Sequence, residues 1–172
     1  MDFLNDIKAQ IPDYAKDIRL NLDGTIARSS LSPNDAVGVA LAASVAAKSP
    51  VLIHAFRNAG VLTPEEDQGV MTSAALMGMT NSWYSYTDVA ADEQLKTLPA
   101  QLRMNAYANH GGVDKRRFEL YALAASIVGK CKFCVASHFD ILKKEGMSVE
   151  QLRDVGRIAA VVNAASQVLV AG

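Results

Sequence analysis

Two stretches of the chain carry nearly the same ten residues, and this internal similarity constrains the fold more than any other feature. The segment ALAASVAAKS covers residues 40–49, and ALAASIVGKC covers residues 122–131, at an offset of 82. Downstream, the segment that begins at Leu62 matches the one that begins at Met147 at an offset of 85. Both copies continue into alanine-rich stretches. The sequence therefore predicts two similar units packed on one core.

Both copies have the pattern of α-helices. Their apolar side chains recur at intervals of three and four residues, whereas alternating runs of β-branched residues are scarce. Ser32 and Thr63 each offer a hydroxyl N-cap directly before a proline. Ser148, followed three residues later by Gln151, forms a capping box. These patterns predict an all-α protein.

Length and composition fit one globular domain. The chain has 172 residues, of which 50% are hydrophobic and 20% charged. We expect a single domain over residues 1–172, with repeat units at about 33–83 and 115–168. The net charge of -1 gives no basic surface for nucleic acid. The N-terminal segment does not resemble a secretory signal, and no unbroken apolar run approaches the roughly 18 residues of a membrane span. We therefore expect a cytoplasmic protein with no membrane partner.

The four candidate reactive side chains all lie in the second copy. They are Glu119, Cys131, Cys134 and His138. The corresponding positions of the first copy hold residues without that chemistry, namely Val37, Ser49, Leu52 and Phe56. Residues that served packing alone would be expected in both copies. This asymmetry indicates a site that was added to one half of a duplicated scaffold.

The spacing of these residues predicts how they meet. Gly129 is expected to end one helix, so that Cys131 lies at the start of the next, where the helix dipole favours a thiolate. Cys134 and His138 then follow on the same helical face, one turn apart. His138 can exchange a proton with the Cys134 sulfur. If the preceding helix folds back, Glu119 can orient the imidazole and complete a cysteine–histidine–carboxylate relay.

Three interpretations of this group remain open from the residues alone. A redox thiol pair would attack peroxides or disulfides. A zinc site in a helical binding module would use Cys131, Cys134, His138 and Glu119 as its four ligands, although structural zinc sites usually connect loops and these residues lie on helices. Inert buried cysteines are the third possibility.

Other conspicuous side chains fit packing roles better. His54 and His110 have no comparable neighbours in the sequence. Met71, Met77 and Met79 are interpreted as core filling. The aromatic cluster that we place just after a helix is expected to pack at the joint between the units or at a subunit interface; it consists of Trp83, Tyr84 and Tyr86.

The pattern of Glu119, Cys131-x-x-Cys134 and His138 resembles the carboxymuconolactone decarboxylase/AhpD-like superfamily. Further blocks of the chain resemble the same family, among them YAKDIRLNL (residues 14–22), LRMNAYAN (102–109) and FELYALAAS (118–126). A decarboxylase of this superfamily needs no cysteine pair, so the intact C-x-x-C favours the alkyl hydroperoxide reductase branch.

This resemblance implies an all-helical homotrimer that binds no cofactor or metal and works through a disulfide cycle. Cys134 would be the attacking thiol, which forms a sulfenic acid intermediate, and Cys131 its proton donor and resolving partner. Glu119 and His138 would relay protons. Electrons would come from dihydrolipoyl groups on a 2-oxoacid dehydrogenase component, kept reduced by dihydrolipoamide dehydrogenase and NADH. They would pass to the peroxiredoxin AhpC or directly to an organic hydroperoxide.

The chain departs from some members of the family at one position. Those members have a histidine directly before the second cysteine, where this chain has Phe133. The relay therefore has one polar member fewer, and we expect direct peroxide reduction to suffer more than disulfide exchange. The helix-terminus argument favours Cys131 as the thiol of lower pKa, whereas the family favours Cys134 as the attacking one. We assign the attack to Cys134, because His138 is placed to activate it.

Overall fold

The computed structural model describes residues 1–171, and within them the chain is all-α, as predicted. There are nine α-helices: α1 (Phe3–Ala9), α2 (Lys16–Leu22), α3 (Pro33–Ala46), α4 (Pro50–Arg57), α5 (Pro64–Ala90), α6 (Glu93–Thr97), α7 (Lys115–Val128), α8 (Lys132–Lys144) and α9 (Val149–Ala171). Short 3₁₀ turns occupy Asp13–Ala15 and Asn105–Gly112, and a π-helical turn occupies Asp23–Ala27. No β-strand occurs in this part of the chain.

The helices α3 and α7 form the centre of the bundle and pack against each other. Residues 35–44 of α3 and 118–126 of α7 are all buried, so both helices are covered on every side. Small side chains make this possible, because they let neighbouring helices approach closely. Gly38 is the clearest case: a Cβ at this position would overlap the ring of Tyr121.

The predicted N-caps are present. The Ser32 hydroxyl accepts a hydrogen bond from a first-turn amide of α3 at 3.2 Å. Thr63 and Glu66 form a reciprocal capping box at the start of α5. Ser148 and Gln151 do the same before α9, with bonds of 3.0 and 3.1 Å. Each cap contributes about 1 kcal/mol to stability. The caps thereby fix where three of the long helices begin.

The order of helices is parallel in the two halves of the chain, α3–α4–α5 and then α7–α8–α9. Lys48 and Lys130 correspond at the offset of 82 and both have left-handed backbones, with φ of 56° and 55°. Asp35 and Arg117 also correspond, and they contact each other at 3.3 Å. The internal repeat and its unit boundaries stay predictions that these features favour.

Helix α9 is long and apolar enough to cross a membrane by length and composition alone, with a mean hydropathy of 1.2. The core helix of a bundle passes the same test. One face of α9 is buried against α3 and α7, through residues that include Leu152, Val155 and Ile158. Its first turns carry Arg153 and Asp154. In this structure α9 is a core helix.

Candidate active site

The cysteine pair lies at the start of α8. Cys131 is the N-cap of this helix, and its sulfur accepts a hydrogen bond from the Cys134 backbone amide at 3.2 Å. The prediction that a new helix starts at Cys131 is confirmed. The prediction that Gly129 ends the preceding helix is confirmed, since α7 ends at Val128 and Gly129 is its C-cap. Gly129 itself has helical angles, and Lys130 is the left-handed residue. Glycine is required at 129 because a Cβ there would overlap the Asn81 side chain.

Cys131 and Cys134 are joined in a disulfide, with their Cα atoms 5.3 Å apart. Both residues are buried, with Cys131 0% and Cys134 3% exposed.

The histidine and the glutamate predicted for the relay contact each other. The Nδ1 atom of His138 lies 2.6 Å from Oε2 of Glu119. Glu119 is fully buried on α7 and His138 is 8% exposed on α8, so α7 does fold back along α8. Burial alone would raise the pKa of the Glu119 carboxyl, but hydrogen bonds from His138 and Tyr107 outweigh it and lower the pKa. Because an ionised carboxylate only accepts, Nδ1 of His138 carries a proton and donates it to Glu119 in this hydrogen bond.

Tyr107 is a member of this group that the sequence did not reveal. Its hydroxyl donates a hydrogen bond of 2.6 Å to Oε1 of Glu119. Burial, together with the Glu119 carboxylate, raises the pKa of this phenol to about 12. Tyr107 belongs to the irregular segment Asn105–Gly112, which packs on α5. That segment has no hydrophobic periodicity, so the sequence did not predict which way its side chains point or what they contact.

Met77 was interpreted as core filling, and that interpretation is incomplete. The side chain is buried, but its sulfur lies 3.2 Å from Nε2 of His138. A thioether is only a weak hydrogen-bond acceptor. The nitrogen that faces Met77 therefore has no strong partner there, which suits a group that must take up and release a proton.

An aromatic pair flanks the cysteines. Tyr84 was placed after a helix, but α5 continues to Ala90, so this residue is helical. Its ring packs against that of Phe133, with centroids 4.5 Å apart. Phe133 directly precedes Cys134 and is 57% exposed. The residue directly before Cys134 therefore presents an exposed aromatic surface.

The first half of the chain shows the same local geometry without the chemistry. Ser49 caps α4 as Cys131 caps α8, with its hydroxyl 3.4 Å from the Leu52 amide. The other corresponding side chains are fully buried and apolar: Val37, Leu52 and Phe56. His54 is exposed and contacts Asn58 at 3.0 Å, away from the cysteines.

The ligand set considered for zinc is arranged differently from a metal centre. Within residues 1–171, no three or more histidine, cysteine or acidic side chains lie close enough together to hold a metal ion. The two sulfurs that zinc would need are bonded to each other in this structure.

Comparison with known proteins agrees with this geometry. The chain is 40% identical over 170 residues to a protein named alkyl hydroperoxide reductase AhpD from Coxiella burnetii, covering 96% of each chain. It is also 40% identical over 167 residues to the protein of that name from Rhodospirillum centenum, covering 95% of this chain and 88% of the relative. The chain belongs to the AhpD family. A third AhpD relative, from a Bradyrhizobium species, is 38% identical over 161 residues, covering 92% of this chain and 88% of the relative.

A family model extends the AhpD relationship to the wider superfamily. The model described as the carboxymuconolactone decarboxylase family matches residues 93–171. This range contains Glu119, both cysteines and His138. It also contains Tyr107, whereas Met77 lies outside it. The resemblance seen in the sequence is thereby confirmed at the level of the family.

Proposed function

We propose that this protein is a thiol-dependent alkyl hydroperoxide reductase that cycles Cys131 and Cys134 between a disulfide and a dithiol. The observation that carries the proposal is the bonded cysteine pair at the start of α8, one helical turn from the buried His138–Glu119 pair. The name of the AhpD relatives supports the same activity. Glu119 and His138 supply the acid–base partner that thiol chemistry needs.

The reductive half of the cycle would use a dihydrolipoyl group as the electron donor. One of its thiols attacks the Cys131–Cys134 disulfide to form a mixed disulfide and release one cysteine thiolate. Its second thiol then attacks the lipoyl sulfur of that mixed disulfide, which leaves an oxidised lipoyl disulfide and two protein thiols. The donor would be carried by a component of a 2-oxoacid dehydrogenase. Dihydrolipoamide dehydrogenase would then reduce it again with NADH. No resident cofactor or metal takes part in this scheme.

In the oxidative half, the Cys134 thiolate would attack the terminal oxygen of an organic hydroperoxide. The O–O bond breaks, the alcohol leaves with a proton, and Cys134 becomes a sulfenic acid. The Cys131 thiol then displaces water and restores the disulfide. With the peroxiredoxin AhpC as the acceptor, Cys134 would attack its disulfide to form a mixed disulfide, which Cys131 resolves.

Cys134 suits the attacking role because His138 follows it by one helical turn. The helix-terminus field that favours Cys131 contributes up to ~2 kcal/mol in buried geometries. General acid–base catalysis is worth about 10² to 10⁴ in rate, or roughly 3 to 5 kcal/mol. The relay therefore outweighs the helix terminus.

His138 would serve as the proton carrier. In the reduced enzyme, Nε2 accepts the thiol proton and later returns a proton to the leaving group. The positive imidazolium formed in between is stabilised by the ionised Glu119 carboxylate at Nδ1. Family membership adds a cytoplasmic homotrimer to the proposal, and light scattering of the purified protein tests the assembly.

A coupled assay tests the proposal directly. NADH oxidation is followed with lipoamide, dihydrolipoamide dehydrogenase and cumene hydroperoxide, with and without AhpC. We expect turnover that Cys134→Ser abolishes and that Ser49→Ala, the change at the matching helix cap of the first half, leaves within a few fold. No NADH oxidation under either condition would refute the activity. Two unreactive thiols after oxidant treatment, together with stoichiometric zinc, would instead favour a zinc-stabilised binding module.

A further inference from the structure

We propose that Tyr107 is a positioning residue of the proton relay, which holds the Glu119 carboxylate in the orientation that binds Nδ1 of His138. The inference deepens the proposed function and rests on it. It adds to the relay a residue from the irregular segment before α7, outside the pattern of Glu119, Cys131, Cys134 and His138 from which the site was predicted.

Both oxygens of the Glu119 carboxylate are engaged, each by one short hydrogen bond. Oε1 accepts from the Tyr107 hydroxyl at 2.6 Å, and Oε2 lies 2.6 Å from His138 Nδ1. The side chain is fully buried, so water does not replace either partner. Rotation of the carboxylate would break both bonds at once. The two donors together therefore fix its plane.

The Tyr107 ring is itself held in place. It packs edge-on against Phe118, with centroids 5.4 Å apart, and against His110 at 5.6 Å. The segment approaches α5 closely at Gly111, where a Cβ would lie 3.0 Å from the Gly69 Cα. Gly111 also has a left-handed backbone, which glycine adopts without strain. The hydroxyl is thus directed at Glu119 by packing on both sides.

The Tyr107 hydroxyl is important because of the few groups that face the Glu119 carboxylate. The groups that face this carboxylate are Tyr107 from the irregular segment, His138 from α8 and Lys115 from its own helix. Lys115 is also paired with Glu145 at 2.9 Å. Tyr107 stays protonated at neutral pH because its pKa is raised to about 12, so it is always a donor. Without it, Oε1 would be buried with no partner, and Glu119 would be protonated at a higher pH.

The ionisation state of Glu119 affects the thiols through the imidazole of His138. An ionised Glu119 keeps a proton on Nδ1 of His138, so that Nε2, which lies 3.2 Å from the Met77 sulfur, is the nitrogen that gains and loses a proton. A protonated or rotated Glu119 would itself donate to Nδ1. The tautomer would then reverse, and Nε2 would carry a proton that blocks uptake of another from a thiol.

The decisive variant is Tyr107→Phe, which removes only the hydroxyl. Tyr121→Phe is its control, because this change likewise removes only a hydroxyl, and the Tyr121 hydroxyl is buried with no hydrogen-bond partner among the described residues. We expect Tyr107→Phe to lower turnover in the coupled NADH assay by about tenfold to a hundredfold. The acid limb of its pH–rate profile should move to higher pH. The control should stay within about twofold, with an unchanged profile.

A double-mutant cycle tests whether Tyr107 acts through Glu119. Once Glu119→Gln has removed the charge, adding Tyr107→Phe should cause little further loss. Losses that multiply would overturn the inference. So would a Tyr107→Phe enzyme whose turnover and pH–rate profile match those of the native protein.

Nitrogen NMR of the imidazoles separates this inference from the proposed activity. The chain has three histidines, and exposed His54, remote from the cysteines, serves as the internal reference. We expect His138 to be the Nδ1–H tautomer at neutral pH and to lose that preference in Tyr107→Phe. If the native protein shows no turnover but this change occurs, the proposed function fails and the positioning role stands. An Nε2–H tautomer in the native protein would overturn the positioning role, even if the variant does not fold.

Discussion

Replacing Glu119 by glutamine isolates the charge of the relay from its shape. Glutamine has nearly the same volume as glutamate and can keep a contact to both Tyr107 and His138. The change therefore removes the negative charge that faces His138 Nδ1 at 2.6 Å while leaving the packing of α7 intact. Any loss of activity then results from the lost charge of Glu119 or from a changed tautomer of His138, and not from a cavity.

The structure gives the size of the expected effect. Hydrogen bonds to a charged group contribute about 1.5–3 kcal/mol each, and Glu119 makes two. The contact to the imidazolium matters for the rate, since it strengthens as His138 gains a proton. Losing one such interaction corresponds to about tenfold to a hundredfold. If the amide also donates to Nδ1 and reverses the tautomer, the loss approaches the roughly 10⁴-fold limit of general base catalysis. We expect a fall of about 10² or more.

The assay is coupled NADH oxidation across a range of pH, with thermal unfolding measured on the same samples. Glu66→Gln is a suitable control, because Glu66 is a second buried glutamate, paired with Arg117 at 2.7 Å and remote in sequence from the cysteines. That control should lower stability and leave turnover per folded molecule nearly unchanged. The reasoning would be refuted if Glu119→Gln stayed within about threefold of the native rate, or if both variants lost activity equally.

Three further predictions concern the order of attack by the two cysteines, the aromatic residue before Cys134 and the stability of the fold at low pH. Cys131→Ser should trap a sulfenic acid or an AhpC mixed disulfide on Cys134, whereas Cys134→Ser should trap little; a dominant Cys131 adduct by mass spectrometry would reverse the assignment. Phe133→His, which adds a polar group beside Cys134, should raise direct hydroperoxide reduction several-fold and change disulfide exchange less, as stopped-flow kinetics of each half-reaction would show. Asp154 is buried, which opposes its ionisation, but bonds from the Ser30 amide and hydroxyl and from two arginines lower its pKa to about 2. Its contribution of about 2 kcal/mol should be complete above pH ~4 and disappear as the pH falls through about 2, a dependence that urea unfolding of Asp154→Asn should lack.

The sequence by itself determined the features that depend on near neighbours. Helix starts were predicted because a cap bonds to an amide three residues away, as at Ser32 and Ser148. The Cys131 and Cys134 pair at a helix start followed from the same local rule. So did the position of His138 one turn beyond, since helical geometry places residues four apart on one face.

Only the tertiary structure decided which side chains complete the relay. Glu119 and His138 are 19 positions apart, Tyr107 and Glu119 are 12 apart, and Met77 and His138 are 61 apart. The first of these contacts was expected only on the condition that α7 folds back. The other two were missed, because Tyr107 lies in a segment without periodicity and Met77 reads as an ordinary apolar residue.

The physical reason is the range of the interactions. Backbone hydrogen bonds and caps act within about four residues, so the local sequence is sufficient to place them. Contacts between helices depend on how closely their surfaces approach, and here alanine and glycine set that distance. The absence of a side chain at Gly111 and Gly129 lets the irregular segment and Asn81 reach their partners. The sequence does not show which residue will pack against a glycine. The effect of the glycine therefore appears only in the packed structure.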